Sequence, residues 1–125
     1  MVTVVSPVVT DALSTQLDSD RIRWIQDNFN DQHLEGVFLV VAATDDEVLN
    51  ASIVASANER GILVCDASSA DRSQVIFGAL HTGEPDVTIA VFTDGRDPAS
   101  ARRTRDRVAA LLDQERQQLD QSGST

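Results

Sequence analysis

A chain of 125 residues with 42% hydrophobic content is long enough for one globular domain, burying roughly two-thirds of its unfolded surface. A formal net charge of −10 argues against nucleic acid and anionic membranes as partners, and no apolar run approaches the ~20 residues that span a bilayer. The single cysteine, Cys65, excludes an intrachain disulfide and a cysteine zinc cluster; with no basic segment ahead of an apolar one at the N-terminus, the chain reads as cytoplasmic.

Val2-Thr3-Val4-Val5 is a β-branched run stopped by Ser6-Pro7, which predicts a strand starting almost at Met1. Thr10-Asp11 can cap a short helix carrying Leu13 and Leu17. Ile22, Trp24 and Ile25 predict a second strand, followed by the polar segment Asp27–Asp31. His33 lies in a short amphipathic link with Leu34 and reads as a solvated histidine.

The most informative stretch is Phe38–Asp66. The unbroken apolar run Phe38-Leu39-Val40-Val41-Ala42-Ala43 suits a strand of a parallel sheet covered on both faces. Thr44-Asp45-Asp46 are helix-capping residue types. Val48, Ile53 and Val54 then line a helical face that ends at Arg60-Gly61, with the glycine suited to the helix C-terminus. Ile62-Leu63-Val64-Cys65 follows as a second strand and delivers Asp66 at its carboxyl end. Strand, helix and strand form a βαβ unit, whose ligands collect beyond the carboxyl ends of the strands. Thr44, Asp45, Asp46 and Asp66 should share that edge, and Cys65 reads as a small buried hydrophobe.

Beyond the small-residue loop Ala67–Ala70, the apolar stretch Val75–Leu80, the turn Gly83–Asp86 and the run Val87–Phe92 predict a β-hairpin. His81 flanks the turn and has no partner spaced for metal binding, so no resident metal is expected. Asp97 and Pro98 make a strong helix start. The helix carries Ala101, Val108, Leu111 and Leu112 on one face, with Leu119 farther on. That narrow stripe is better suited to a partner helix than to a deep core. Every basic residue is arginine, and half of them fall between Arg96 and Arg107.

Val4-Val5-Ser6-Pro7, Ala42-Ala43-Thr44-Asp45-Asp46, Asn50, Val64-Cys65-Asp66 and Pro98-x-x-Ala101-Arg102-Arg103-x-Arg105 occur in this order. With these the chain resembles the siroheme synthase N-terminal module, the precorrin-2 dehydrogenase and sirohydrochlorin ferrochelatase family, from Val2 to about Leu112. The resemblance implies NAD-dependent oxidation of precorrin-2 to sirohydrochlorin, in some members followed by insertion of ferrous iron. It implies an α/β fold: a partial Rossmann-like parallel sheet, then a β-hairpin and C-terminal helix forming a homodimerisation region. The family's Gly-rich first strand and helix lie upstream of the sequence that begins at Val2, so the first βα unit is expected to be missing. The absent strand would sit between the Val2–Val5 and Phe38–Ala43 strands. The corresponding division is 1–70 for the truncated NAD-binding part, 71–121 for the dimerisation and substrate region, and 122–125 for a disordered tail.

Matched residue by residue, the resemblance implies that Asp66 is the catalytic aspartate, a general base in dehydrogenation that also matters for chelation. Ala43, Thr44 and Asp45 would border the nicotinamide side of NAD, with Ser6 near the adenosine ribose. Thr93 would stand beside the substrate cavity. Arg102 and Arg105 would hold carboxylates of the tetrapyrrole. Asp94-Gly95-Arg96 stands where the family commonly has a glycine pair. For Asp66 the alternative is a loop-capping aspartate, and for the arginines it is surface pairing with Asp97, Asp106 and Asp113. At the level of the whole chain, the alternatives are a non-catalytic nucleotide-sensing Rossmann-type regulatory domain or an inactive dimerising remnant.

Overall fold

The structure, a computed structural model, describes residues 1–17, 20–83 and 87–123. The elements run β1 (Val2–Val5), α1 (Asp11–Leu17), β2 (Ile22–Ile25), a 3₁₀ turn (Asp31–Leu34), β3 (Leu39–Ala42), α2 (Glu47–Glu59) and β4 (Leu63–Asp66). A 3₁₀ turn (Ala70–Arg72), the strands β5 (Ala79–Gly83) and β6 (Val87–Val91), and α3 (Pro98–Ser122) complete it. The strands form three two-stranded ladders: β1 with β2 in parallel, β3 with β4 in parallel, and β5 with β6 antiparallel. The expected parallel sheet is thus present as two pairs, and among the described residues no ladder joins β1 to β3.

The core lies under the βαβ unit. Leu34, Val54, Ala57, Ile62 and Val64 form one buried cluster, with Phe29, Val37 and Val40 packed against it. Asn50, Ile53, Val54 and Ala57 are the buried residues of α2, a spacing that places them on one helical face. Val48, expected on that face, is 79% exposed. The helix closes as the sequence suggests. Gly61 adopts φ +66°, its N–H bonds to the Asn58 carbonyl, and the Ile62 N–H bonds to the Ala57 carbonyl. Those two bonds satisfy carbonyls that a helix end otherwise leaves open.

Several expectations need correcting. β3 starts at Leu39 and is not covered on both faces: Phe38 is exposed, as is Val41. His33 is largely covered rather than solvated. Its Nδ1 accepts the Asn30 N–H, its Nε2 lies 3.3 Å from Asp27, and its ring tilts against Phe29. The hairpin is present, but its first strand begins at Ala79 rather than Val75. The segment ahead of it turns back onto β4, with the Gln74 and Val75 N–H groups both directed at the Val64 carbonyl. His81 is inside β5, opposite Ile89. Residues 84–86 of the expected turn, and 124–125 of the expected tail, lie outside the described residues. Ser122 still belongs to α3, with Gly123 as its cap.

Candidate functional site

The parallel register sets Ala42 opposite Asp66, so the loops leaving β3 and β4 open on the same edge. The first is the Thr44 turn. Asp46 caps α2 by accepting the Val48 and Leu49 N–H groups at 2.9 and 3.1 Å. Thr44 is fastened to Asn50, whose Oδ1 accepts from the Thr44 N–H (3.1 Å) and hydroxyl (2.7 Å), while its Nδ2 donates back to the Thr44 carbonyl (3.1 Å). Asn50 is fully buried. A buried amide in an apolar stripe is tolerable only when its polar atoms are partnered. Here Nδ2 also reaches Ser68 Oγ at 3.2 Å.

Ser68 carries the connection to the second loop. Its N–H and hydroxyl donate to Asp66 Oδ1 at 2.9 and 2.6 Å. Arg72 Nε donates to Asp66 Oδ2 at 2.7 Å. Ser73 Oγ accepts the Asp66 N–H at 2.8 Å. One hydrogen-bonded chain therefore runs from Thr44 through Asn50 and Ser68 to Asp66 and Arg72. The Asp66 side chain is wholly buried and the Arg72 side chain 38% exposed. Burial alone pushes the Asp66 carboxyl up. The Ser68 hydroxyl, Arg72 and the Ser68 N–H outweigh it and hold the group below its ordinary value. Burial pushes the neighbouring Cys65 thiol up, against a hydrogen bond with Ser73, and the charge on Asp66 adds to the rise.

Asp66 thus has the hydrogen bonding of a loop cap and, at a strand end, a carboxyl whose partners favour its charged form. Ala43 and Asp45 are exposed beside it, in the turn that Thr44 anchors. Ser6 is not brought into this chain of contacts. It ends the β1–β2 pair, where its hydroxyl donates to the Val8 carbonyl and its carbonyl accepts from Trp24 Nε1. Thr93 folds its own loop: its Oγ1 donates to the Asp97 carbonyl (2.8 Å) and accepts the Asp97 N–H (3.2 Å). That loop does approach the Asp66 side of the molecule. Gly95, at φ +71°, lies so close to the 3₁₀ turn that a Cβ there would be 2.9 Å from Ala70 Cβ. The arginines divide. Arg105 is committed to Asp106 (2.9 Å) and to the Leu80 carbonyl (3.3 Å), whereas Arg102 is exposed.

An NAD molecule needs a ledge for its nicotinamide and free N–H donors for its pyrophosphate. The exposed turn Ala43-Thr44-Asp45, next to the small residues Ala67 and Ser68, fits the first need. The second is not met among the described residues. The first N–H groups of α2 are taken by Asp46, and the turn after β1 carries Ser6-Pro7 rather than glycine. A separate cavity of about 500 Å³, lined by Asp31, Leu34, Gly36, Val37, Arg60 and Ile62, opens at the amino ends of β3 and β4. It is far from this chemistry, and its Arg60 is already bonded to Asp31. Among the described residues no group of three or more His, Cys, Asp or Glu could hold a metal ion.

Sequence reasoning overlooked Ser68 and Arg72, and noticed Asn50 only as part of a pattern. For Asn50 a signal existed: it precedes Ile53, Val54 and Ala57 by three, four and seven positions, so a polar residue occupies the buried stripe. For Arg72 the only signal was a basic residue closing a loop of small residues after an aspartate.

Comparison with known proteins bears on the family and the fold. Residues 1–79 match the model of a family described as "Putative NAD(P)-binding". The siroheme synthase of Photobacterium profundum is 34% identical over 113 residues, covering 90% of this chain and 24% of that protein. Siroheme synthase 1 of Aeromonas salmonicida is 37% identical over 112 residues, with 90% and 24% covered. The chain spans about a quarter of the length of these relatives. The solved structure of SirC, a precorrin-2 dehydrogenase, superposes with a TM-score of 0.69 at 24% identity, covering 87% of this chain and 53% of that one. At that identity the likeness speaks for the Rossmann-like fold.

Proposed function

This chain belongs to the "Putative NAD(P)-binding" family, and from that premise we propose that it serves the NAD-dependent oxidation of precorrin-2 to sirohydrochlorin, with Asp66 accepting the proton. The observation that carries the reading is the buried carboxylate of Asp66 at the carboxyl end of β4, tied through Ser68 and Asn50 to the Thr44 turn. The relatives' name, siroheme synthase, and that of SirC supply the substrate class. NAD⁺, when bound, supplies the hydride acceptor. Loss of a hydride obliges the substrate to lose a proton as well, and a carboxylate beside the nicotinamide ledge is suited to take it.

Ala43, Thr44 and Asp45 would border the nicotinamide, and Ser6 the adenosine ribose. Thr93 and Arg102 would face the tetrapyrrole, while Arg105 supports the helix through the Leu80 carbonyl. The same carboxylate could receive pyrrole protons if ferrous iron is inserted as a second substrate. A homodimer would cover the exposed Leu111, Leu112 and Leu119 of α3 together with Leu80 of the hairpin. No helix of the described residues is long and apolar enough to cross a membrane, which suits action in the cytoplasm.

The test is to incubate the protein with precorrin-2 and millimolar NAD⁺ and follow NADH. High cofactor concentration is needed because the described residues offer the pyrophosphate no donor set. NADH formed in step with sirohydrochlorin is the expected result. A specific observation favours a second reading: both carboxylate oxygens of Asp66 already accept hydrogen bonds, Oδ1 from Ser68 and Oδ2 from Arg72, as in a purely structural cap. A non-catalytic dimerising protein would give no NADH in this assay.

A further inference from the structure

The Asp66 carboxylate cannot touch a substrate as it stands. Its side chain has no exposed surface, and a proton acceptor must come within hydrogen-bond reach of the proton it takes. Its two oxygens are held differently. Oδ1 is bound by the N–H and hydroxyl of Ser68, two residues onward in the same turn, and Ser68 is itself held by Asn50. Those contacts are built into the backbone and the buried amide. Among the described residues Oδ2 has one donor, Nε of Arg72. Arg72 is at the end of a single 3₁₀ turn whose cap residue, Ser69, makes no side-chain capping bond. Its side chain is partly exposed. It is the one partner of Asp66 that can leave without undoing the strand ends.

We propose that Arg72 is a latch: it covers Asp66 Oδ2 in the free protein and transfers its guanidinium to a carboxylate of the incoming tetrapyrrole, which uncovers the proton acceptor. The inference rests on Asp66 being that acceptor. Exchange of one carboxylate for another keeps a charge-assisted pair on the guanidinium throughout, so opening does not strand a cation. The released Asp66 keeps its two Ser68 donors and loses the only charged group bonded to it among the described residues. The remaining groups against it, Ser73 and the Asn50–Ser68 pair, are uncharged, and Cys65 beside it in β4 is a buried thiol. An anionic substrate thereby makes its own base stronger, whereas a neutral molecule in the same place would leave the latch closed. Arg72 is a positioning and specificity residue in this account, not the group that takes the proton.

Two measurements test the latch. The first is ¹³C titration of the Asp66 carboxyl in the 125-residue chain, with and without uroporphyrin as a stable tetrapyrrole polycarboxylate. Uroporphyrin should raise the apparent Asp66 pKa in the wild type. In Arg72→Gln the value should be raised already and should not respond. The second is steady-state oxidation of precorrin-2. Arg72→Gln should raise KM for precorrin-2 about tenfold or more, leave KM for NAD⁺ unchanged, and move the acid limb of kcat/KM to higher pH. Arg72→Lys, which keeps the charge but not the planar fork, should recover part of the loss. If Arg72→Gln does not fold, Arg72→Lys and the wild-type titration still decide. A wild-type Asp66 pKa that uroporphyrin leaves in place, or an Arg72 variant with lowered Tm but unchanged KM and pH profile, overturns the latch. Full turnover by Asp66→Asn would instead remove the proton-acceptor reading, and the titration would still report whether Arg72 moves.

Discussion

The two halves of this molecule depart from the usual polar-out, apolar-in division in opposite ways. At the carboxyl ends of β3 and β4, polar groups are buried and fully partnered: Asn50 and Asp66 are the buried polar residues, and among the described residues no buried side-chain polar atom lacks a partner. In the hairpin, the loop after it and α3, apolar groups are exposed, including Leu80, Phe92, Leu111 and Leu119, and Arg103, Arg105 and Arg116 make surface pairs. Order in the first region comes from inside the chain. The second has a surface that a partner would complete. On the proposed reading, chemistry belongs to the first region and assembly to the second.

Breaking the first region should have the larger effect on stability. Asn50→Ala removes the amide that partners the Thr44 backbone and Ser68, leaving buried groups unsatisfied at a cost of about 1–3 kcal/mol. Urea unfolding should show a lower midpoint with little change in slope. A midpoint within error of wild type would mean that water replaces the amide and that the strand ends are not coupled through it.

Much of this is legible in the sequence. The βαβ unit follows from the apolar runs, the capping residues before α2 and the glycine after it, because local chemistry marks each boundary to within a residue. Asp97-Pro98 marks the start of α3 for the same reason. The parts that mislead depend on contacts distant in sequence or on how a loop folds. His33 reads as solvated until Asp27, Phe29 and Asn30 fold around it. Val75–Phe77 has the composition of a strand but is drawn away by the Val64 carbonyl. At the site, Asp66 and the Thr44 turn are legible as strand-end residues. Arg72 is not, since nothing local distinguishes a latch arginine from a surface one.

Acid sharpens the comparison further. The Asp66 carboxyl is lowered in the folded state from an ordinary value of 3.8. Its contribution is therefore complete above that value and is lost as pH falls below it, through the folded value. Stability measured downward from pH 5 should fall more steeply in the wild type than in Asp66→Asn. Parallel curves would show that the Arg72 pair contributes nothing to folding.

The smallest effect on folding is expected in the second region. Leu111→Asp with Leu119→Asp alters exposed positions of α3, so the fold should change by only about 0.5 kcal/mol per site. Sedimentation at tens of micromolar should nevertheless shift from dimer to monomer. A wild-type chain that is already monomeric there removes the assembly role of this face.

The assignment of chemistry to the strand ends is tested most directly by turnover of Asp66→Asn with precorrin-2 at saturating NAD⁺. The variant keeps the shape and two of the hydrogen-bonding positions of the side chain but cannot take a proton. A loss of kcat of about a hundredfold or more, with an unchanged sedimentation profile, is the expected result. Wild-type turnover by Asp66→Asn would contradict the account, leaving Asp66 as the cap of its own loop.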